Sequence, residues 1–435
     1  MYIPDASSIL ARRSMVARTL PPDNPNLTLG TSGVAGVFGG DEAVSAIAVN
    51  VHENKRWSGY NSPGSYQIAK RYGLLAKSRF LDGLFPGVHT DPATLFELDG
   101  WKGPKFRAAH SGTIIEETGH LAALFMQECA AQEGKVVEGR ITQAVGVTIA
   151  ELKHVPPPHF FPRRIDAYSP AFASIPIAVS IGTCVACGIF EDWYWFSLIL
   201  LGILMSSISC FVVCSGKFVF THPDPATGSP PGDGILSSDE GIVLLKGAEG
   251  AVNSITCGRF SLDFANEPQY NNIGWRSVLP TIQSIAQLLL LVPQGSRFGQ
   301  IMFVTSLGVS WIYHSWLSSD KEKIQRDTLV NSVLKKPVLT KYTLGTCTTM
   351  VVFVLLVLQP GGPNEILNEL LPYNTKVWRQ WKETIVRRLL NQEKLEFVGA
   401  DWELDGFSQE ERSLLEMLYG DAQAAYRGYV QYVLN

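Results

Sequence analysis

The sequence predicts a mainly α-helical, multi-pass membrane protein of about five spans, with a mixed N-terminal polar region and a helical C-terminal tail. Three observations predict it. Ile175 to Phe190 and Trp193 to Cys214 are uncharged runs separated only by Glu191 and Asp192, and the second has the ~20 residues that cross ~30 Å of hydrocarbon at ~1.5 Å per residue. Three more apolar runs follow, at Val278 to Val292, Phe298 to Trp316 and Tyr342 to Leu358. Charged residues make up 17% of the chain, below the ~25% of average soluble proteins, which suits a surface that need not all meet water.

The net charge of −4 supplies no basic footprint for a phosphate backbone, so nucleic acid is excluded as a partner. Met1 to Leu20 has Arg12, Arg13 and Arg18 but no apolar core after them, which excludes a secretory signal; Asp5 and the prolines at 21, 22 and 25 argue against a mitochondrial presequence. Seven cysteines, an odd number scattered along the chain, make no disulfide framework.

In order, the chain reads as a polar region (1–155), a Pro-rich linker (156–174), the hairpin (175–214), a polar loop with short strands (215–277), two candidate spans (278–316), a basic loop (317–341), a last span (342–358) and an amphipathic tail (359–435). Gly30, Gly33, Gly36 and Gly39 lie in a loop, since neither the dinucleotide fingerprint nor the GxxxxGK[ST] pattern is present. Asp41 caps a helix whose apolar face runs from Ala43 to Val51. Residues from Thr113 to Cys129 carry an amphipathic helical pattern, and a second helix is expected from Ile141 to Lys153. The run Val155 to Pro162 stops it, because consecutive prolines lack donors. Within the polar loop, Ile242 to Leu245 and Phe260 to Phe264 read as strands, and Ala248 to Thr256 as a turn or short helix.

The basic loop carries Lys321, Lys323, Arg326, Lys335, Lys336 and Lys341. In the tail, Val377, Trp378, Trp381, Ile385, Leu389 and Leu390 share a face ringed by cations, the composition of an interfacial helix on anionic lipid. Ser408 and Glu411 form a capping box ahead of a helix with Leu414, Leu415, Leu418 and Tyr426 on one face. From Gly241 to Phe260 the chain resembles a stretch of uncharacterised multi-pass membrane proteins of fungi; the resemblance covers about 20 residues and implies a membrane setting but no activity.

The sharpest chemical candidate is a repeated Glu-x-x-His, Glu117 with His120 and Glu151 with His154. On a helix each pair would point one carboxylate and one imidazole at the same metal, with Glu128, Glu138 or Asp41 as further ligands. Solvated helix faces account for the same pattern. Cys184 and Cys187 form a CxxC, but Cys210 and Cys214 lie near the other end of the hairpin, so the four thiols cannot meet. Cys214, beside Ser215 and Lys217, is an acylation candidate. Ala178, Gly182 and Ala186 on the first span, and Gly202, Ser206 and Cys210 on the second, are small residues at four-residue spacing that would form the hairpin seam. Gln283 and Gln287 could line a polar path or clamp two helices. Neither GxSxG nor HExxH occurs.

These features favour a non-enzymatic membrane anchor or scaffold, with no cofactor and with protein partners meeting the N-terminal region and the tail. A small-solute carrier or channel, or a membrane-attached metal-dependent oxidoreductase, are the alternatives. Arg163 and Arg164 before the first span, against the acidic first turn, predict a cytosolic N-terminal region, which would leave the Asn26 to Thr28 sequon unmodified. Five spans then put the tail on the opposite side.

Overall fold

The computed structural model describes residues 41–53, 59–61, 68, 70–71, 74, 91–162, 170–239, 241–263, 282 and 296–434. The N-terminal glycine loop, Asn26, Arg163, Arg164, Gln283, Gln287 and, but for Ile282, the run Val278 to Val292 lie outside these residues. The chain divides into two compact units, the first from 1–98, 164–218 and 262–324, the second from 99–163, 219–261 and 325–435.

In chain order, α1 is Asp41–Glu53, β1 Lys105–Ala108, β2 Ile114–Ile115, α2 His120–Ala130, β3 Gly134–Val136, β4 Val145–Leu152 and β5 His159–Phe160. Helices α3 (Pro170–Ile189) and α4 (Trp193–Val213) come next, followed by β6 (Lys217–Thr221), β7 (Gly234–Ser238), β8 (Gly241–Gly247), α5 (Glu249–Thr256) and β9 (Arg259–Asp263). Then come α6 (Arg297–Ser319), α7 (Lys321–Asp327), a π-helical turn (Thr328–Val333), β10 (Val338–Leu344), α8 (Cys347–Leu358), α9 (Pro363–Leu370), α10 (Lys376–Leu390) and α11 (Gln409–Leu434), with single helical turns at Pro92–Leu95 and Gly399–Trp402 besides.

The second unit overturns the mainly α-helical, five-span expectation, because it is built on a seven-stranded mixed sheet in the order β2-β1-β7-β8-β4-β10-β3. Strand β4 pairs in parallel with β8 (Val147↔Ile242) and antiparallel with β10 (Val147↔Tyr342). Residues 145–152 are thus a strand where helical spacing predicts a helix: the segment alternates Val147, Ile149 on one face with Thr148, Ala150 on the other, and both faces are buried. A strand covered on both sides loses the polar-apolar alternation that would identify it. Val147, Ile149, Ile242, Leu244, Tyr342 and Leu344 join a core with α8 to α11. On the other face the Thr148 hydroxyl donates to the Cys129 carbonyl at 3.4 Å, under α2.

The expected last span splits. Tyr342 to Leu344 is the end of β10, and α8 holds 12 residues, or about 18 Å, too short for a bilayer. Every residue of α8 after Cys347 is buried. It is apolar all round because the sheet covers one side and α9 and α11 cover others. The basic loop is likewise corrected: it folds into α7, the π-helical turn with buried Leu329 and Val333, and the start of β10. Helix α10 is not interfacial, since Val377, Trp381, Ile385 and Val386 are buried in the same core and the Trp381 indole donates to the Leu418 carbonyl at 3.1 Å. The capping box holds: the Ser408 N–H donates to Glu411 at 2.8 Å and the Glu411 N–H to Ser408 Oγ at 3.2 Å. Asp421, buried on α11, accepts from Arg140 at 2.7 Å and from the Thr348 hydroxyl, so its charge is paired where water cannot reach it.

In the first unit α3 and α4 form the expected hairpin, and α6 lies antiparallel along α3, with Phe190 against Phe298 at one end and Phe172 against Trp316 at the other. Asp192 caps α4, accepting from the Trp195 N–H at 3.4 Å, and the Ser296 hydroxyl bonds to the same carboxylate. Helix α6, expected as a span, is long enough at 23 residues but falls short in hydropathy. Among the described residues two helices are long and apolar enough to cross a membrane, Phe172–Ile189 and Trp193–Val212. At the far end of α6, Lys321 donates to Glu97 at 2.5 Å, and Glu97 also accepts from Ser45 of α1 at 2.6 Å.

Two outcomes follow from this packing. Replacing the fully enclosed Phe353 of α8 by Ala costs about 3–5 kcal/mol in equilibrium denaturation, the scale of a core cavity; a lipid-facing phenylalanine would cost far less. Burial alone would raise the Glu97 carboxyl, but the Lys321 and Ser45 hydrogen bonds, with the Lys321 and Arg71 charges, outweigh it and hold Glu97 below its ordinary value of 4.5. The stabilisation is therefore complete above that value and is lost as pH falls through the lowered one. Thermal melts from neutral to acidic pH show this decline in the wild type and a shallower one in Lys321→Met.

Candidate membrane interface and its polar seam

Helices α3, α4 and α6 turn large apolar side chains outward. Ile175, Ile181, Val185 and Ile189 on α3, Leu200 and Leu204 on α4, and Ile301 and Ile312 on α6 are 37 to 62% exposed. A water-facing surface rarely carries such a belt. Aromatic side chains stand at both ends of it, Phe172 and Trp316 at one and Trp193 and Phe298 at the other, as they do where hydrocarbon meets headgroups. Phe172 to Ile189 spans roughly 27 Å, near the thickness of the hydrocarbon layer.

The inner sides of the same helices combine an apolar cluster, with Trp195, Ile199, Phe303 and Leu307 buried together, and a polar row. On α6, Gln300, Ser306, Ser310 and His314 are buried at spacings that keep them on one side. The Ser306 hydroxyl donates to Ser180 Oγ on α3 at 3.0 Å. Asn61 is wholly buried and bridges two helices: its amide lies 3.1 Å from His314 Nε2, and its carbonyl accepts from Ser206 Oγ on α4 at 3.3 Å. With the Asn61 N–H donating to Nε2, the neutral ring carries its proton on Nδ1, and that atom has no hydrogen-bond partner. His314 lies in a run without Asp, Glu, Lys or Arg, and the recurrence of Ser306, Ser310 and His314 every four residues is the sequence signal for it.

The small-residue stripes do not form the hairpin seam as expected. Ala178 and Gly182 face outward, and a side chain at Gly182 would meet open space. Ala186 is half-buried, while Ser180, Thr183, Cys184 and Cys187 face the neighbouring helices. On α4, Gly202 is buried and Ser206 half-buried, and the stripe receives the chain at 59–61: Ser207 donates to the Gly59 carbonyl at 3.3 Å, and a side chain at Gly59 would collide with Cys210. Cys214, the acylation candidate, is buried with its sulfur 3.8 Å from that of Cys210.

The Glu-x-x-His residues are not brought together. Glu117 is exposed in the turn before α2 and paired with Lys102 at 2.8 Å, whereas His120 opens that helix, buried, with Nε2 2.9 Å from Gln325 and its ring edge-on to Trp101. Glu151 is in a strand, accepting from the Tyr432 hydroxyl at 3.0 Å, and His154 lies beyond the strand, lowered from its ordinary value by burial and then by Lys335. Neither pair shares a helical face. Among the described residues no group of three or more His, Cys, Asp or Glu is placed to hold a metal ion.

Breaking the bridge tests the seam. Asn61→Ala leaves groups on two helices unsatisfied and costs about 1–3 kcal/mol of thermal or denaturant stability; the double variant with His314→Ala costs less than the sum of the two singles, by about 0.5–1.5 kcal/mol. Full additivity would mean that the two residues do not act together. Comparison of the chain with protein-family models, with curated proteins and with solved structures finds no match.

Proposed function

We propose that this protein is a membrane-anchored scaffold, in which the α3–α4 hairpin is embedded in the bilayer and the second unit stays in the aqueous phase. The observation that carries this reading is the exposed apolar belt bounded by aromatic residues at both ends. Its inward polar row complements it, since buried amides and hydroxyls join helices where lipid supplies no hydrophobic drive.

The flanks of the hairpin support a single side for everything outside it. Before it, His159 and Phe160 pair with Thr221 and Phe220 after it, and His222 Nε2 lies 2.9 Å from the Pro156 carbonyl oxygen. Segments joined in this way cannot stand on opposite faces of a membrane. The same holds for the seven-stranded sheet, whose strands come from before the hairpin, after it and after α6. The tail therefore shares the side of the N-terminal part of that sheet, in place of the opposite side that five spans imply. Arg163, Arg164 and Lys217 flank the hairpin, while Glu191 and Asp192 occupy its turn, a charge asymmetry that favours a cytosolic second unit.

A second reading, a path for a small polar solute along α6, draws on the partnerless Nδ1 of His314. The metal-dependent oxidoreductase has no such support, its candidate ligands being dispersed.

Sidedness is open to direct test. In a variant without the exposed thiols of Cys257 and Cys347, Thr227→Cys reacts with an impermeant maleimide added to the cytosolic face of sealed vesicles, and Glu191→Cys does not. Labelling of Glu191→Cys from that face, or release of the protein from membranes by alkaline carbonate, sinks the anchor reading.

A further inference from the structure

The second unit contains a cleft of about 510 Å³ between the C-terminal ends of α8 and α10 and the outer half of α11, within the ~300–1,000 Å³ of small-molecule sites. Its floor is apolar, with Leu355 and Leu356 buried beneath it. One wall is formed by Tyr426 and Tyr429, whose ring centres are 6.5 Å apart and tilted by 37°. Glu393 stands exposed at the rim, accepting from Asn391 at 2.8 Å, and is the one charged side chain among the described residues that line the cleft.

The electrostatics lean negative, although α9 begins at the cleft with Pro363 and its N-terminus carries the opposite partial charge. Two helices end at the cleft, each presenting the partial negative charge of its last carbonyls. The cations of the last turn of α10 are committed elsewhere: Arg388 pairs with Asp401 at 2.7 Å, and Arg387 lines a separate recess that also contains Glu383. Aromatic faces beside a carboxylate attract cations and repel anions.

We propose that this cleft binds a small, soluble organic cation, an ammonium or quaternary ammonium head joined to a compact apolar body. The body covers Leu355 and Leu356, and the head sits between the Tyr426 and Tyr429 rings and the Glu393 carboxylate. The site is independent of the membrane anchor and stands or falls without it.

The test uses the full chain in nanodiscs of a lipid that has no choline head, with benzyltrimethylammonium as probe and phenylpropionate as its anionic counterpart, followed by calorimetry or ligand-detected NMR. The cation binds and the anion does not. Glu393→Gln weakens binding by about fivefold or more, the loss expected for one partly solvated charge, and Gln392→Lys, at an exposed rim position, abolishes it. Neither change touches the core, and circular dichroism checks that both variants keep the fold. Absence of cation binding, equal binding of the anion, or unchanged affinity in both variants overturns the proposal.

Discussion

Helix α8 is apolar on every side, and a helix of that composition has to be enclosed. The second unit is the enclosure: the sheet closes one side through Val147, Ile149, Leu244 and Tyr342, and α9, α10 and α11 contribute to the rest of the shell. The polar groups that remain inside are satisfied by the same arrangement. Thr346 caps the helix, accepting from the Thr349 N–H at 3.0 Å, and Asp421 holds Thr348 and Arg140. Lys382, buried beside the end of α9, donates to Asn368 at 2.9 Å. Each helix of the tail thus has its apolar face directed by the need to cover α8 or the sheet, which is why α10 turns Trp381 inward and keeps its arginines at the edge.

The sequence disclosed what is local and hid what is shared between distant segments. The hairpin, its acidic turn, the Ser408–Glu411 cap and the strands near Ile242 and Phe260 follow from runs and caps read within a few residues. Strand β4 did not, because its neighbours β8 and β10 are remote and bury both of its faces, erasing the period of two. The same burial makes α8 look like a span: uniform hydrophobicity reports an apolar surrounding and cannot say whether that surrounding is lipid or protein. Length could have said so, since the run begins inside a strand and leaves too few helical residues to cross. The Glu-x-x-His pairs failed for a related reason, their spacing being meaningful only on a helix, which neither pair occupies.

In the first unit α6 departs from the usual order of a helix, although Phe303 and Leu307 keep an apolar inner face. Apolar residues of α6 such as Ile301 and Ile312 face outward, while Ser306, Ser310 and His314 are buried. Water would penalise both choices. Hydrogen-bonded neighbours make the buried row acceptable, and Asn61 shows how: one amide satisfies an imidazole and a hydroxyl from two different helices. Its position in a Gly- and Pro-rich segment far from either helix kept it out of any reading of the spans alone.

The sheet also imposes an order on biosynthesis. Strand β4 leaves the ribosome with neither of its neighbours; β8 follows after roughly 100 residues and β10 after roughly 200, separations that make pairing slow. Between them the chain must place the α3–α4 hairpin and α6. The central strand therefore waits with one edge unpaired until β8 appears and with the other unpaired until β10 does. An exposed strand edge of that kind is a template for mispairing, so the interval before β10 appears is when the unfinished chain is most prone to aggregate.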